Sequence, residues 1–137
     1  MARYAIRRLE EIPQIPPDDE DDLQWYPLQH HFGLTAFGVN VYVGTSEGGD
    51  LLATHSEAES NQEELYLVTS GTATFTIEGE EIDVPAVSVV AVPDPTVVRA
   101  AFAKTAGTTV VAIGGERRDR FETSWQAKWF VNVPQVE

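Results

Sequence analysis

Between Ala36 and Val43 the chain alternates strictly: Phe37, Val39, Val41 and Val43 interleave with Ala36, Gly38, Asn40 and Tyr42. A period of two is the period of a β-strand with one buried face, and no amphipathic helix can use it. The texture returns at Leu65–Thr69, Thr72–Ile77, Ile82–Val84, Val87–Val92, Val97–Phe102 and Thr108–Ile113, with Gly and Pro between the runs. Glu78-Gly79-Glu80 reads as a tight hairpin, because glycine accepts the positive φ such turns need, and Pro93-Asp94-Pro95 as a second turn. Eight or nine short strands with no helical pattern between them predict an antiparallel sandwich or barrel rather than a βαβ fold. At 137 residues the chain is one domain, able to bury a core without staples. A short C-terminal helix is expected within Ser124–Phe130, where Trp125 and Trp129 stand one turn apart and are expected to close a core.

Charge narrows the function. Nine Lys and Arg against 22 Asp and Glu give a net charge of -13, which disfavours phosphate backbones and anionic lipid, so neither nucleic acid nor membrane is an expected partner. No Lys or Arg lies between positions 9 and 98, although 18 acids do. Those carboxylates must face water, meet the basic C-terminal third, or surround something cationic. Seven of them fall at Glu10–Asp22, where prolines and five consecutive acids predict a solvated loop over 10–24. There is no Cys, which removes disulfides and thiolate chemistry, and no apolar run of membrane-spanning length. The N-terminus reads basic then acidic, without a signal sequence, so a cytoplasmic location is expected.

Three motif matches carry little. Gly44-Thr45-Ser46-Glu47-Gly48 fits the G-x-S-x-G pattern of serine hydrolases, but no helix is predicted after it, and a turn between strands explains it. His30 and His31 are expected on an extended segment, where neighbours point to opposite faces and cannot share one ion. Asp18 to Asp22 lacks the alternation and glycine of a calcium loop.

The informative stretch is Gly49 to Gly71. Gly49, five residues, His55, one residue, Glu57, then Glu64, six residues and Gly71 resemble the first motif of the cupin superfamily. That resemblance implies a double-stranded β-helix, a jelly-roll barrel with its core over about 34–114 and a tail over 115–137 packed around it together with an N-terminal strand. It also implies a homodimer. His55 and Glu57 are expected on one strand face and Glu64 at the opening of the next strand, so all three could converge on one metal ion. An imidazole and two carboxylates suit Mn, Fe, Ni, Cu or Zn, the first two more than a structural zinc. The second cupin motif is incomplete: Val98 stands at its histidine position and Phe102 at its asparagine. The usual four-ligand site is therefore absent, and a chain without a bound metal is also open.

Arg99, beside the missing histidine, either pairs with Glu57 or Glu64 at the barrel rim or presents its guanidinium to an anionic ligand. Arg99 and Tyr66, the latter within Glu63-Glu64-Leu65-Tyr66-Leu67-Val68, are the candidate ligand-binding residues. Two functions follow. One is a cupin-like domain that binds a small molecule in its barrel without a complete metal site; the other is a metal-dependent isomerase, decarboxylase or dioxygenase that uses His55, Glu57 and Glu64.

Overall fold

The computed structural model describes residues 2–16 and 23–136. Among them run nine strands in two antiparallel sheets. The five-stranded sheet has the order β1 (Leu23–Tyr26), β2 (Gly38–Gly44), β9 (Thr108–Glu116), β4 (Gln62–Ser70), β7 (Ser88–Val92). The four-stranded sheet has the order β3 (Asp50–His55), β8 (Arg99–Ala103), β5 (Thr72–Ile77), β6 (Glu80–Pro85). Gly71 alone joins β4 to β5, and β5 and β6 form the expected hairpin, with Glu78 and Gly79 at φ 49° and 83°. These are the antiparallel sheets that the alternation predicts, in the jelly-roll arrangement that the resemblance implies.

The core follows from strand parity. On β4 the inward positions Tyr66 and Val68 are fully buried, and on β9 they are matched by Ala112 and Val110 in register. On β8, Arg99, Ala101 and Ala103 alternate inward, and the two alanines leave room for the Phe75 and Tyr66 rings, whose centroids are 5.5 Å apart. A second cluster lies on the outer face of the five-stranded sheet, where Ile12, Tyr26 and Val41 are buried with Leu9, Leu28 and Phe32 around them. Both faces of β2 are thus occupied: Val39 and Val41 bury outward and Tyr42 turns into the barrel.

Several expectations are corrected. The segment before the barrel contains β1, a 3-10 turn at Leu9–Glu11 and a helix, α1 (Leu28–Phe32). His30 and His31 are therefore exposed helical residues, and α1 is too short at five residues to show a 3.6-residue period. Gly33, at φ 64°, terminates it. Residues 10–24 are only partly loop: Ile12 is buried and the Ile15 amide donates to the Trp25 carbonyl at 2.9 Å. The prolines flanking Ile15 occupy positions that need no donor. Asp18–Asp22 lies outside the described residues. Residues 3–8 form no strand, and Tyr4 and Ile6 are exposed. The tail does carry a helix, α2 (Gln126–Phe130), but Trp125 and Trp129 remain 51% and 66% exposed and close no core. Gly44 to Gly48 is a turn between β2 and β3 with no helix after it.

Gly71, which ends the first-motif resemblance, joins β4 to β5 at φ 71°, and a Cβ there would stand 2.8 Å from the Thr108 Cα. Thr108 is buried and its hydroxyl donates to the carbonyls of Thr72 or Thr105, locking the starts of β5 and β9 together. A Cβ on Gly79 would meet open space. Gly79→Ala should therefore cost the left-handed penalty alone, about 1–2 kcal/mol, whereas Gly71→Ala adds about 1–3 kcal/mol of overpacking against backbone. Urea denaturation of the two variants checks the order; equal losses would show that Thr108 gives way.

Candidate metal centre

His55 is the last residue of β3, and β4 begins at Gln62 in the other sheet. The connection between them therefore crosses the mouth of the barrel. Glu57 lies in this connection rather than on the strand with His55, which corrects the expected shared face. Its amide donates to the Pro95 carbonyl at 2.8 Å, and the turn closes through Asn61 at φ 53°. Convergence thus comes from a turn that folds Glu57 back between two strand ends. His55 Nε2 is 3.2 Å from Glu57 Oε1 and 3.7 Å from Glu64 Oε1. One ligand atom from each of the three residues lies within 4.8 Å of the others, so the structure brings together all three candidate metal ligands.

Each of the three is held by a different partner. His55 Nδ1 lies 2.7 Å from the Ala53 carbonyl, which can only accept, so Nδ1 carries a proton and Nε2 is turned to the carboxylates. Glu57 Oε2 accepts from Ser60 Oγ at 2.8 Å and from Gln62 Nε2 at 3.2 Å. Glu64 Oε1 accepts from the Tyr66 hydroxyl at 3.0 Å and from Arg99 Nη2 at 2.5 Å. Outer hydrogen bonds of this kind fix ligand orientation in metal sites.

Arg99 is fully buried behind Glu64, donating also from Nε to the Tyr66 oxygen at 3.1 Å and from Nη1 to the Val97 carbonyl at 2.9 Å. The expected pairing with Glu64 is present, but inside the barrel rather than at its rim. Val98, the position that the second motif assigns to histidine, is 41% exposed and points away. Strand parity instead turns Arg99 inward, in register with His55, so a guanidinium stands where a further imidazole would reach. Tyr66 and Arg99 both contact Glu64 and are both fully buried, so the mouth of the barrel meets them through that carboxylate.

The two carboxyls behave as an interacting pair. Burial pushes Glu64 up, the neighbouring Glu57 adds to this, and Arg99 and Tyr66 pull back without cancelling it. Burial also opposes the charge on Glu57, but the Ser60 hydroxyl, the Glu64 carboxyl and His55 more than offset it and hold Glu57 below the usual carboxylate range. Desolvation, aided by Glu64 and Glu57, pushes the Tyr42 hydroxyl to about 12. Strand register with Val110 turns Tyr42 inward against the barrel core, and sequence reasoning missed it. The available signal was its parity, opposite to Val39, Val41 and Val43. Ser60 and Gln62 were also missed, and side-chain supports inside a turn leave no periodic trace.

The donor set fits a divalent ion: one imidazole nitrogen and two carboxylate oxygens, with the Arg99 charge answering only one of the two acids. Two other acids of the middle segment meet the basic C-terminal third, Glu63 with Arg117 and Asp83 with Lys104, while Glu116 pairs with Arg118 within the third itself. Among the described residues no helix is long and apolar enough to cross a membrane.

Two facing antiparallel sheets, with a His/Glu/Glu group at one end of the barrel between them, make a jelly-roll fold. No protein-family model and no curated protein matches the sequence. Solved structures do. KdgF from a Halomonas species superposes with a TM-score of 0.65 over 85% of this chain and 96% of its own, at 16% identity. A predicted oxalate decarboxylase from Thermotoga maritima gives 0.67 over 82% and 100%, at 13% identity. A cupin protein from Bacteroides fragilis gives 0.62 over 90% and 96%, at 20% identity. At these identities the likeness is one of fold.

Removing the buried cation leaves Glu64 facing a filled interior. Arg99→Met should cost about 3–5 kcal/mol in chelator-treated protein, and adding Glu64→Gln should recover part of it. Urea denaturation of wild type, single and double variants checks this; a loss for the single variant under about 1 kcal/mol would remove the pair from any structural role.

Proposed function

We propose that this chain is a divalent-metal-binding protein that takes a small oxygen-bearing molecule at the mouth of its barrel, with His55, Glu57 and Glu64 holding the ion. The observation that carries the reading is the convergence of three ligand atoms within 4.8 Å. Their independent support by Ala53, Ser60 with Gln62, and Arg99 with Tyr66 adds to it. A bound ion supplies Lewis acidity to a coordinated oxygen. The chain's own residues do the rest. Ala53 keeps Nε2 of His55 aimed at the site, the turn holds Glu57 at the open side, and Arg99 fixes Glu64 while limiting the negative charge there. Arg99, Tyr66 and Phe75 fill the interior behind, which favours a ligand at the mouth over one deep in the barrel. A neighbour of the same fold is described as a predicted oxalate decarboxylase, which is in keeping with an oxygen-rich ligand. Small-molecule binding without a metal is the second reading, favoured by the Arg99 cation already on Glu64.

Elemental analysis of protein purified without chelator separates them. The expected result is one equivalent of Mn, Fe, Ni, Cu or Zn, lost in His55→Ala with the fold retained by circular dichroism. Protein that stays metal-free through dialysis against each ion would overturn the first reading.

The proposal includes a homodimer seated on the outer face of the five-stranded sheet. There Phe37, Leu65, Val89 and Ile113 are 44%, 37%, 54% and 38% exposed, beyond the area covered by the N-terminal segment. Sedimentation should give twice the 15.1 kDa chain mass, reverting to the single mass in Val89→Glu. A wild-type monomer at high micromolar concentration would sink the dimer.

A further inference from the structure

A cavity of about 500 Å³ opens beside the metal-facing carboxylates, between α1 and the ends of β4 and β9, lined by Gln29, Thr35, Gly38, Gln62, Gly114 and Glu116 among others. Gly38 and Gly114, in register, both line it, and the Gln62 and Glu64 side chains crowd the space over Gly114. A Cβ on Gly38 would stand 3.4 Å from Gln29 Oε1, and one on Gly114 would stand 3.0 Å from Gln62 Oε1. Two amide oxygens therefore flank the gap. Their orientation is fixed from the other end of each amide: Gln29 Nε2 donates to the Leu34 carbonyl at 3.3 Å, and Gln62 Nε2 donates to Ser60 Oγ at 2.8 Å and Glu57 Oε2 at 3.2 Å. With the Gln62 nitrogen using both of its hydrogens and the Gln29 nitrogen turned to Leu34, each amide presents a carbonyl oxygen to the cavity. The Glu116 carboxylate adds a third acceptor group, shared with Arg118 at 2.9 Å.

We propose that this cleft binds the hydroxyl-bearing part of a small polyol, with vicinal hydroxyls donating to the carbonyl oxygens of Gln29 and Gln62. The amide oxygens of Gln29 and Gln62 accept from hydroxyls, Thr35 and Arg118 in the same lining can donate to them, and a group that both donates and accepts meets both. Gln62 joins the cleft to the metal centre, because its amide nitrogen also supports Glu57. The inference rests on the proposed function only for the ligand's other end, which faces His55, Glu57 and Glu64.

The test uses myo-inositol as probe, with manganese binding measured separately on the same samples. In heteronuclear NMR of the chelated full chain, inositol should shift the Gln29 and Gln62 side-chain amides and the Gly38 amide in a saturable way. Gly38→Val fills the gap and should weaken binding at least 10-fold; Gln29→Leu, which removes one acceptor from a half-buried helix position, should weaken it about 3–10-fold. Neither variant should alter manganese affinity. Failure to bind at about 50 mM, well above the millimolar range that a few hydrogen bonds support, would overturn the cleft. So would shifts confined to other residues, or Gly38→Val and Gln29→Leu binding like wild type. Inositol binding by a chain that takes up no manganese would leave the cleft standing and the metal reading overturned; the reverse result separates the two failures the other way.

Discussion

One ion pair, Arg99 with Glu64, ties the two sheets together where the barrel opens. Arg99 stands on β8 of the four-stranded sheet and Glu64 on β4 of the five-stranded sheet, 2.5 Å apart between Nη2 and Oε1. A guanidinium with no solvent exposure survives only when its donors are met, and this one has a carboxylate, a tyrosine oxygen and a backbone carbonyl. The pair fixes which way Glu64 points. That decision in turn places its oxygen beside His55 and leaves Glu57 to close the site from the turn.

The charge distribution makes this pair a constraint on the whole chain. With no Lys or Arg between positions 9 and 98, an inward carboxylate on β4 can find a cation only from the strands that follow. Arg99 is the first such residue, and β8 is the strand that carries it past His55. Outer acids such as Glu63 and Asp83 meet Arg117 and Lys104 at exposed positions, where ion pairs contribute little. The buried one therefore matters out of proportion to its number.

The legible part of the fold was the part with a period. Strands β2, β4, β5 and β9 bury alternate side chains, and alternation survives in sequence because each inward residue has the same task. Segments shorter than a period or two leave no such trace. This is why α1, with five residues, was expected as an extended segment, and why the expected loop over 10–24 ran into β1, with four. The tail failed for the opposite reason: its aromatic pair mimics a buried face but is exposed in the chain itself. At the site, His55 and Glu64 were legible from motif spacing. Glu57 was found for the wrong reason, as a strand residue, and reaches the site through a turn whose geometry depends on Pro95 and Asn61. Counting along the second motif pointed to Val98. Parity was the better guide, because a one-residue offset exchanges the inside of a barrel for the outside.

A guanidinium rather than an imidazole at that inward position offers no metal ligand, and it sets a fixed positive charge beside one of the two acids. A three-ligand site built from His55, Glu57, Glu64 and this charge presents about one net negative charge to an incoming ion rather than two, since arginine is protonated at any working pH. A divalent ion bound there, as proposed, would make the same group net positive and favour an oxygen ligand at the open side, away from the fully buried Arg99, Tyr66 and Phe75. At the rim, Gln62 touches Glu57 on one side and lines the cavity beside Gly38 and Gly114 on the other. Arg99, one residue beyond the position that motif counting gives to histidine, thus orients Glu64 for the site without joining it.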